Sequence, residues 1–285
     1  MRLHAEAPAK INRELRVGAL RADGFHEVFS RIVAIALSDA VTVAPSPNRL
    51  VFTCAGGAPA DDTNLVVRAA RALAAHLNRV PAARIHLEKR IPAGGGLGGG
   101  SSDAAATLLL LDRLWGARLP MAELAAVAAA LGSDVPFFLH GGEADVTGRG
   151  ERVRPMADRP GEDLLLVVPP FPISTARVYA AYDRGAPRPL PDRLAVDHST
   201  KFFGPNDLAF AVLETEVRMR GFVESVQSLS DDFAISGSGS AIVVRGADAR
   251  IEESLLRRHP DARLIRSRTL TREEYQRRSA ISGGS

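Results

Sequence analysis

The sequence predicts an α+β fold divided into two halves. Strand-like and helix-like segments are mixed in both halves without any sequence repeat, which is typical of sheets covered by helices. A proline-rich stretch at residues 169–191 separates the halves. The chain has 285 residues, of which 46% are hydrophobic, so it can bury one large core or two moderate ones.

The elements of the first half follow from periodicity and from turn residues. β-branched and apolar runs bounded by proline, glycine or asparagine indicate strands, whereas apolar residues spaced three and four apart indicate helices. In chain order the prediction is strands at 41–43 and 50–54, a helix at 65–77, a strand at 84–89, helices at 104–115 and 121–131, and strands at 143–147, 151–154 and 164–168.

The second half has the same mixture of elements. The patterns predict an amphipathic stretch at 175–182, helices at 207–219 and 221–229, strands at 233–236 and 241–245 around a glycine turn, and a helix at 248–257. We therefore expect an N-terminal lobe at 1–168 and a C-terminal lobe at 169–277. The small and polar residues at 278–285 predict a disordered tail.

The most informative segment is the run P-A-G-G-G-L-G-G-G-S-S-D, which ends at Asp103. Glycine adopts positive φ without steric cost, so successive backbone N–H groups can converge on one anion. Ser101, Ser102 and Asp103 are N-cap candidates for the helix that follows, and a helix N-terminus attracts phosphate. The run lacks the features of a P-loop and of a dinucleotide-binding motif. We predict a phosphate-binding loop rather than a flexible linker.

Three further segments carry candidate functional residues. In A-P-A-K-I-N, Lys10 and Asn12 are two apart and face the same way on a strand, although such a pair also suits a plain surface. In L-G-S-D-V-P-F-F-L, Asp134 precedes apolar residues, where an ionised carboxylate needs a partner, although aspartate also caps turns and helices. The third segment, I-S-G-S-G-S-A-I-V-V at 235–244, reads most simply as a hairpin.

Composition argues against several classes of protein. The formal charge of +3 is small and the basic residues are scattered, so we expect no binding to nucleic acid. Cys54 is the single cysteine, which excludes an internal disulfide and a multi-cysteine zinc site and fits a reducing cytoplasm. We find no signal sequence and no apolar run near the roughly 20 residues of a membrane span. A cytoplasmic protein that does not bind membranes is expected.

Taken together and in this order, the segments resemble the GHMP kinase superfamily, named for galactokinase, homoserine, mevalonate and phosphomevalonate kinases. A-P-A-K-I-N is similar to its first motif, P-A-G-G-G-L-G-G-G-S-S to its second and I-S-G-S-G-S-A to its third, so the resemblance covers nearly the whole chain. It implies a two-lobed fold with the active site in the cleft between the lobes, ATP and Mg²⁺ as cofactors, a small-molecule substrate, and a monomer or weak homodimer.

One branch of the superfamily is the most similar. R-A-D-G-F-H-E at 21–27, D-T-N-L-V-V-R-A-A at 62–70 and L-G-S-D-V-P-F-F at 131–138 resemble the kinases that phosphorylate the 2-hydroxyl of a cytidine-diphosphate-linked methylerythritol in the non-mevalonate pathway to isoprenoid precursors. Two alternatives stay open: a related kinase with another alcohol acceptor, and a non-catalytic ligand sensor on the same fold. Retention of Lys10, Asp134 and the glycine loop disfavours the sensor.

The resemblance implies roles for individual residues. Asp134 would accept the proton of the attacking hydroxyl, while Lys10 would orient that carboxylate and steady developing charge. Ser101 is a candidate ligand of Mg²⁺. The residues that match the acceptor site are Asn12, Phe25, His26, Thr175 and Tyr179. The residues that match the ATP site are Asn64, Leu65, Val66, Val67, Lys89, Pro92, Ala93, Gly94, Gly95, Gly96, Leu97, Gly98, Gly99, Gly100, Ser101 and Ser102.

The aromatic residues of the acceptor site have specific expected contacts. Phe25 and Tyr179 would stack on the cytosine while His26 bonds its edge. Taken without the resemblance, Phe25 also suits a loop anchor, His26 a surface loop and Tyr179 the core.

The chain departs from the superfamily pattern after Asn12 and after His26. Arg13, Glu14, Arg31 and Val33 stand at these departures. We expect them on the acceptor side of the site, where they would alter the identity of the alcohol.

Overall fold

A computed structural model describes residues 1–185, 190 and 202–284 of the chain. Within these residues the strands form one sheet of seven strands and one of four, and helices pack on both. The α+β class and the two-lobed architecture predicted above are therefore confirmed. Part of the proline-rich stretch at 169–191 lies outside the described residues.

The seven-stranded sheet belongs to the first lobe. Its strands are β1 (Arg2–Leu20), β2 (His26–Pro45), β3 (Leu50–Ala55), β4 (Ala83–Glu88), β5 (Glu143–Thr147), β6 (Arg152–Pro155) and β11 (Ser282–Gly284). The helices of this lobe are α1 (Leu65–His76), α2 (Gly99–Trp115), α3 (Met121–Leu131), a 3-10 helix (Val135–Leu139) and α8 (Arg272–Arg278). The strand order β11-β1-β2-β4-β3, with β5 and β6 continuing from β2, makes a mostly antiparallel sheet.

The four-stranded sheet belongs to the second lobe. Its strands are β7 (Asp163–Val168), β8 (Phe233–Ile235), β9 (Ile242–Arg245) and β10 (Arg263–Arg268), in the order β10-β7-β9-β8. The helices are α4 (Thr175–Tyr182), α5 (Ala209–Thr215), α6 (Met219–Gln227) and α7 (Ala249–Arg258). The single helix predicted at 207–219 is wrong, since α5 ends at Thr215 and α6 begins at Met219.

The long hairpin of β1 and β2 joins the two lobes. Leu3 of β1 packs in the first core with the helices α1 to α3, whereas Leu15 packs in the second core with α4 to α6. Ile11, between them, lies in a third cluster shared by the two sheets. Sequence periodicity did not predict β1 because buried charged residues, among them Lys10 and Arg13, interrupt its apolar pattern.

The predicted lobe boundary after residue 168 is wrong for β7. This strand is central in the second sheet, where β10 and β9 pair with it on either side. Its successive apolar side chains are buried on both faces: Leu165 and Val167 lie in the second core, and Leu164 and Leu166 lie in the shared cluster. A run of this kind belongs to a central strand rather than to a strand at the end of a domain.

The predicted disorder of the tail at 278–285 is also wrong for most of its length. Ser282–Gly284 forms an antiparallel edge strand that pairs with residues 2–4 of β1. The preceding helix α8 is anchored by Tyr275, which is buried and donates a hydrogen bond to the Phe138 carbonyl oxygen over 2.6 Å. Backbone pairing thus orders a segment whose side chains carry no strand signal. None of the helices that the structure describes has the length and apolar character needed to cross a membrane.

Candidate active site

A cavity of about 960 Å³ lies between the lobes. Lys10, Ser101 and Asp134 of the first lobe all line it, as the sequence analysis expected. The second lobe contributes a wall through α4 and through the loop between β8 and β9, represented by Tyr179 and Ser238. The cavity therefore brings together the glycine loop and the three further segments that were singled out in the sequence.

The glycine loop leads into α2 one turn earlier than predicted. Helix α2 begins at Gly99, and its N-cap is Gly98, with φ of 69°, rather than Ser101, Ser102 or Asp103. No side chain of the described residues caps this end. The first amides of a helix have no partner within it, so the amides of the first turn, which lines the cavity, suit an anion such as phosphate.

The loop between β8 and β9 holds the glycine loop in place. The Ser236 hydroxyl donates to the Gly96 carbonyl oxygen over 3.0 Å, and the Ser240 amide donates to the Gly94 carbonyl oxygen over 3.0 Å. The plain-hairpin interpretation of residues 235–244 is thus incomplete. Strands β8 and β9 do pair, but the turn between them also fixes the loop that lines the cavity.

The side chain of Lys10 is buried and held from two sides. Its Nζ donates to the Asn12 Oδ1 over 2.6 Å, and the Asn12 Nδ2 donates to the Ser30 Oγ over 2.8 Å. Lys10 Nζ also lies 3.6 Å from the Asp134 carboxylate. Only 4% of Lys10 is exposed, so this ammonium is fixed beside the carboxylate rather than spread over a surface, and the plain-surface interpretation is wrong.

Asp134 is available to a ligand in the cavity. Its side chain is 38% exposed, and it makes no capping hydrogen bond to the 3-10 helix that follows it. The interpretation of Asp134 as a helix cap is therefore not supported. Its apolar sequence neighbours Phe137 and Phe138 are buried in the first core and fix the backbone that presents the carboxylate.

Gly98 is the tightest point between the glycine loop and Lys10. A Cβ at this position would lie 2.9 Å from the Lys10 Cγ and 2.8 Å from the Phe138 ring. Both distances are shorter than carbon atoms tolerate, and φ of 69° disfavours any side chain. The loop therefore needs glycine here for two separate reasons.

Gly98→Ala is expected to impair ATP binding and turnover together. Strain at positive φ costs about 1–3 kcal/mol, and relief of the clash displaces Lys10 as well. Gly116→Ala is a matched control, because Gly116 ends the same helix at φ of 68° with no atom within 4 Å of the added Cβ. Steady-state kinetics should show a defect in Gly98→Ala alone, while thermal unfolding shows strain in both variants. Equal kinetics in the two variants would contradict this role of Gly98.

Asn12, Phe25, His26, Thr175 and Tyr179, the residues predicted for the acceptor site, all line the same cavity. Phe25 is exposed, as a stacking platform must be, and the Arg149 guanidinium lies 4.8 Å from its ring centre. Tyr179 stacks on His26 with ring centres 5.4 Å apart. The Thr175 and Ser238 hydroxyls are 2.8 Å apart at the base of α4.

His26 is not a surface loop residue. It is buried; its Nδ1 donates to the Gly18 carbonyl oxygen over 2.9 Å, and its Nε2 lies 2.9 Å from the Asp183 carboxylate. Burial, and to a lesser degree the charge of Asp134, raises the pKa of Tyr179. Tyr179 and His26 therefore form one pair of stacked rings, which the sequence analysis had treated as separate contacts.

The predicted ATP residues divide into two groups. Asn64, Leu65, Lys89 and every residue from Pro92 to Ser101 line the cavity. Val66 and Val67 do not, because they lie on the buried face of α1. Ser102 is also buried, and its hydroxyl donates to the Pro8 carbonyl oxygen over 2.7 Å, which ties α2 to β1. These three residues are structural.

Lys89 lies beneath the start of α2 between two buried carboxylates. It donates to Asp39 on β2 and, over 2.7 Å, to Asp103 on α2. Burial raises the pKa of Asp103 to about 8 in spite of the neighbouring ammonium. The sequence analysis named Asp103 only as a cap candidate and did not name Asp39. Their pairing with Lys89 depends on tertiary packing of β2 and α2 and is not visible in the sequence.

The departures from the superfamily pattern do not reach the cavity. Arg13 donates to the Glu143 carboxylate over 2.5 Å, and Arg31 donates to the Asp145 carboxylate over 2.7 Å. Val33 packs in the cluster between the sheets. Glu14, like these three, is buried on the hairpin and does not line the cavity. The expectation that Arg13, Glu14, Arg31 and Val33 alter the acceptor pocket is therefore wrong.

The described residues offer few side-chain ligands for a metal ion. In the part of the chain that the structure describes, no three His, Cys, Asp or Glu side chains form a group that could hold one. This fits a magnesium ion bound mainly by phosphates, which needs only one or two protein oxygens. The Ser101 hydroxyl and the Asp134 carboxylate line the cavity and are such oxygens.

Comparison with known proteins identifies relatives of this chain. Residues 64–142 match the family model described as GHMP kinases N terminal domain. A 4-diphosphocytidyl-2-C-methyl-D-erythritol kinase of Streptomyces coelicolor is 37% identical over 270 residues, covering 88% of this chain and 89% of the relative. One of Nocardia farcinica is 38% identical over 263 residues, with 86% of each chain covered. One of Salinispora arenicola is 50% identical over 157 residues, which is 54% of this chain and 50% of the relative.

Solved structures agree as well. The crystal structure of a 4-(cytidine 5'-diphospho)-2C-methyl-D-erythritol kinase superposes with a TM-score of 0.76 and 32% identity, covering 93% of this chain and 98% of the other. A mevalonate kinase, with a TM-score of 0.64 and 13% identity, shares the fold. With 37% identity over most of both sequences, the chain belongs to the 4-diphosphocytidyl-2-C-methyl-D-erythritol kinase family of the GHMP kinases.

Proposed function

We propose that this kinase transfers the γ-phosphoryl group of ATP to the 2-hydroxyl of 4-diphosphocytidyl-2-C-methyl-D-erythritol, in the non-mevalonate route to isoprenoid precursors. The observation that carries the proposal is the meeting of Lys10 and Asp134 in a cavity that also contains the uncapped N-terminus of α2. Phosphoryl transfer depends on positioned phosphates, stabilised charge and a placed base. The similarity to kinases that are named for this acceptor supports its identity.

Asp134 acts as the general base in this proposal. Its carboxylate accepts the proton of the 2-hydroxyl as that oxygen attacks the γ-phosphorus, and ADP leaves with the electron pair of the broken bond. Lys10, 3.6 Å away, holds the carboxylate in position and offsets negative charge as it develops. Asn12 keeps the ammonium fixed through its 2.6 Å hydrogen bond.

The glycine loop and α1 take ATP. The first-turn amides of α2 bind the phosphates, while Asn64 and Leu65, at the start of α1, line the part of the cavity assigned to adenine. Lys89, which donates a hydrogen bond to Asp103, lines the same part of the cavity in this proposal. Mg²⁺ fits with Ser101 as a protein ligand and with phosphates as the main ligands, and when bound it would neutralise phosphate charge.

The cytidine binds among the other lining residues of the cavity. Phe25 offers an exposed ring, and the stacked pair of His26 and Tyr179 forms a wall of the same cavity. Thr175 lies at the N-terminus of α4 beside this wall. Because the base and the reacting hydroxyl then lie in one cavity, binding of the cytidine sets the position of the alcohol.

The molecular context follows from the same proposal. The N-terminal lobe binds ATP, and the C-terminal lobe supplies the wall behind the acceptor. We propose a cytoplasmic monomer or weak homodimer that acts on small molecules and binds neither nucleic acid nor membranes.

Phe25→Ala is expected to weaken the acceptor far more than ATP. Loss of one base-stacking contact costs about 1–3 kcal/mol, which should appear in the KM of the acceptor at saturating ATP. Val80→Ala, at another exposed apolar residue that does not line the cavity, is the control. A change confined to the KM of ATP would show that Phe25 does not receive the base.

An acceptor panel tests the proposed function. Purified protein is given ATP and either 4-diphosphocytidyl-2-C-methyl-D-erythritol or 2-C-methyl-D-erythritol 4-phosphate, which lacks the cytidine. We expect rapid ADP release with the first and little with the second. Equal rates with the two would contradict recognition of the cytidine and favour another alcohol as the natural acceptor. Absence of turnover with every alcohol would contradict the kinase assignment and favour a sensor.

A further inference from the structure

We propose that Arg149 binds the diphosphate of the acceptor and thereby selects alcohols that carry a nucleoside diphosphate. The inference rests on the proposed function, which it deepens by naming a specificity residue. The sequence analysis did not single out this arginine, which lies in the loop between β5 and β6 and lines the cavity.

The loop that carries Arg149 is fixed to both ends of the acceptor site. The Val28 amide donates to the Gly148 carbonyl oxygen over 2.7 Å, and the Gly148 amide donates to the Glu27 carboxylate over 3.0 Å. These bonds attach the loop to the start of β2, beside Phe25. A Cβ added to Gly150 would lie 3.2 Å from the Cβ of Ser133, the residue before Asp134. Arg149 therefore lies between the base platform and the catalytic carboxylate.

The guanidinium is held in one orientation. It lies over the Phe25 ring at 4.8 Å from the ring centre, and one of its Nη2 hydrogens is donated to the Ala129 carbonyl oxygen over 2.5 Å. A guanidinium has five N–H donors in a planar fork, so donors remain for a ligand in the cavity. Less conformational freedom is lost on binding because the side chain is already fixed.

The charge of Arg149 is not neutralised by an ion pair. Of the lysines and arginines that line the cavity in the described part of the chain, Lys10 pairs with Asp134, and Lys89 lies between two carboxylates. Arg149 has no carboxylate at salt-bridge distance among the described residues. The pKa of Asp23 is lowered mainly by the hydrogen bond from Arg21, and the charge of Arg149 contributes to a smaller degree. An arginine without a carboxylate partner is available to bind an anion, and a guanidinium can bind a phosphate through two parallel hydrogen bonds.

The order of groups in the cavity matches the order of groups in the acceptor. Phe25, Arg149 and Asp134 follow one another as base, diphosphate and alcohol do along a nucleoside diphosphate linked to an alcohol. Stacking alone would leave the two phosphates without a cationic partner in the acceptor half, since Lys10 is engaged with Asn12 and Asp134. The geometry thus gives the diphosphate its own partner.

Titration calorimetry with CDP and with cytidine tests the inference. The titrations are made with the ATP site filled by a non-hydrolysable ATP analogue, so that CDP cannot bind at the glycine loop. Wild-type protein should bind CDP more tightly than cytidine. Arg149→Gln should lower the affinity for CDP by roughly 10- to 100-fold, the range for hydrogen bonds between charged groups, and change that for cytidine less than twofold.

Two further variants serve as controls for the effect of Arg149→Gln. Arg152→Gln, at an arginine of β6 whose side chain is 71% exposed and does not line the cavity, should leave both affinities unchanged. Arg149→Lys keeps the charge without the planar fork and should retain part of the preference for CDP. A thermal unfolding curve checks that each variant is folded.

Equal losses for CDP and cytidine in Arg149→Gln would overturn the inference and leave Arg149 as a support for the Phe25 ring. Unchanged affinity for CDP would overturn it as well. Because the readout is binding, it is independent of turnover: discrimination by Arg149 without phosphorylation would contradict the proposed function alone, and phosphorylation without discrimination would contradict this inference alone.

Discussion

Asp134→Asn is expected to lower kcat by about 10²- to 10⁴-fold, the usual contribution of a general base. Asparagine keeps the size of the side chain but cannot accept the proton of the hydroxyl. The KM of ATP should change little, because the glycine loop is held by hydrogen bonds from the turn between β8 and β9 and not by Asp134. Steady-state kinetics with both substrates varied separate the two effects.

The control for this variant is Asp261→Asn, at an exposed turn residue of the second lobe outside the cavity. It should retain full activity. Near-normal kcat in Asp134→Asn would mean that the carboxylate only shapes the backbone before the 3-10 helix, and the proton would need another acceptor.

Lys10→Met is expected to lower kcat by about 10²- to 10³-fold, the range observed when one preorganised charge-stabilising donor is removed. Methionine preserves the apolar part of the buried stem, so the packing against Gly98 is retained. What is lost is the ammonium that lies 3.6 Å from Asp134 and donates to Asn12. Kinetics and thermal unfolding should show a large catalytic defect in a folded protein.

The double variant Lys10→Met with Asp134→Asn provides the control. Residues that act as a unit have non-additive effects on rate. We therefore expect the double variant to be about as slow as the slower single variant. Losses that multiply would indicate two independent roles and would contradict a Lys10–Asp134 pair that handles one proton transfer.

The predictions that rest on local sequence agree well with the structure. The glycine loop, the following helix, and the shared face of Lys10 and Asn12 depend on backbone freedom and strand alternation over a few residues. The error in the N-cap also has a local cause. Gly98 reaches positive φ and starts the helix before the serines, which a side-chain preference for Ser or Asp does not reveal.

Residues that meet through tertiary pairing could not be predicted from the sequence. Ser30 contacts Asn12 because β1 and β2 pair, and Asp183 reaches His26 because α4 packs against the hairpin. Arg149 lies on a loop whose position depends on the pairing of β5 with β2. No spacing in the sequence encodes these contacts, since each joins elements that are far apart along the chain.

The partners of the buried arginines could not be predicted from the sequence either. Arg13 and Arg31 interrupt apolar strands, and a charge in such a place is costly unless it has a partner. Sequence alone suggested the cavity as the reason. The structure gives the partners as Glu143 and Asp145, on the strand that pairs with β2. The charges therefore belong to the packing of the first lobe and not to acceptor choice.

The most direct test of the central claim is to identify the product by ³¹P nuclear magnetic resonance. Purified protein is incubated with ATP, Mg²⁺ and 4-diphosphocytidyl-2-C-methyl-D-erythritol. We expect ADP and one new phosphomonoester in equal amounts, and this resonance should lack three-bond proton splitting because C2 carries a methyl group and no hydrogen. A phosphomonoester split by carbon-bound protons, or ADP formed without any phosphomonoester, would contradict transfer to the 2-hydroxyl.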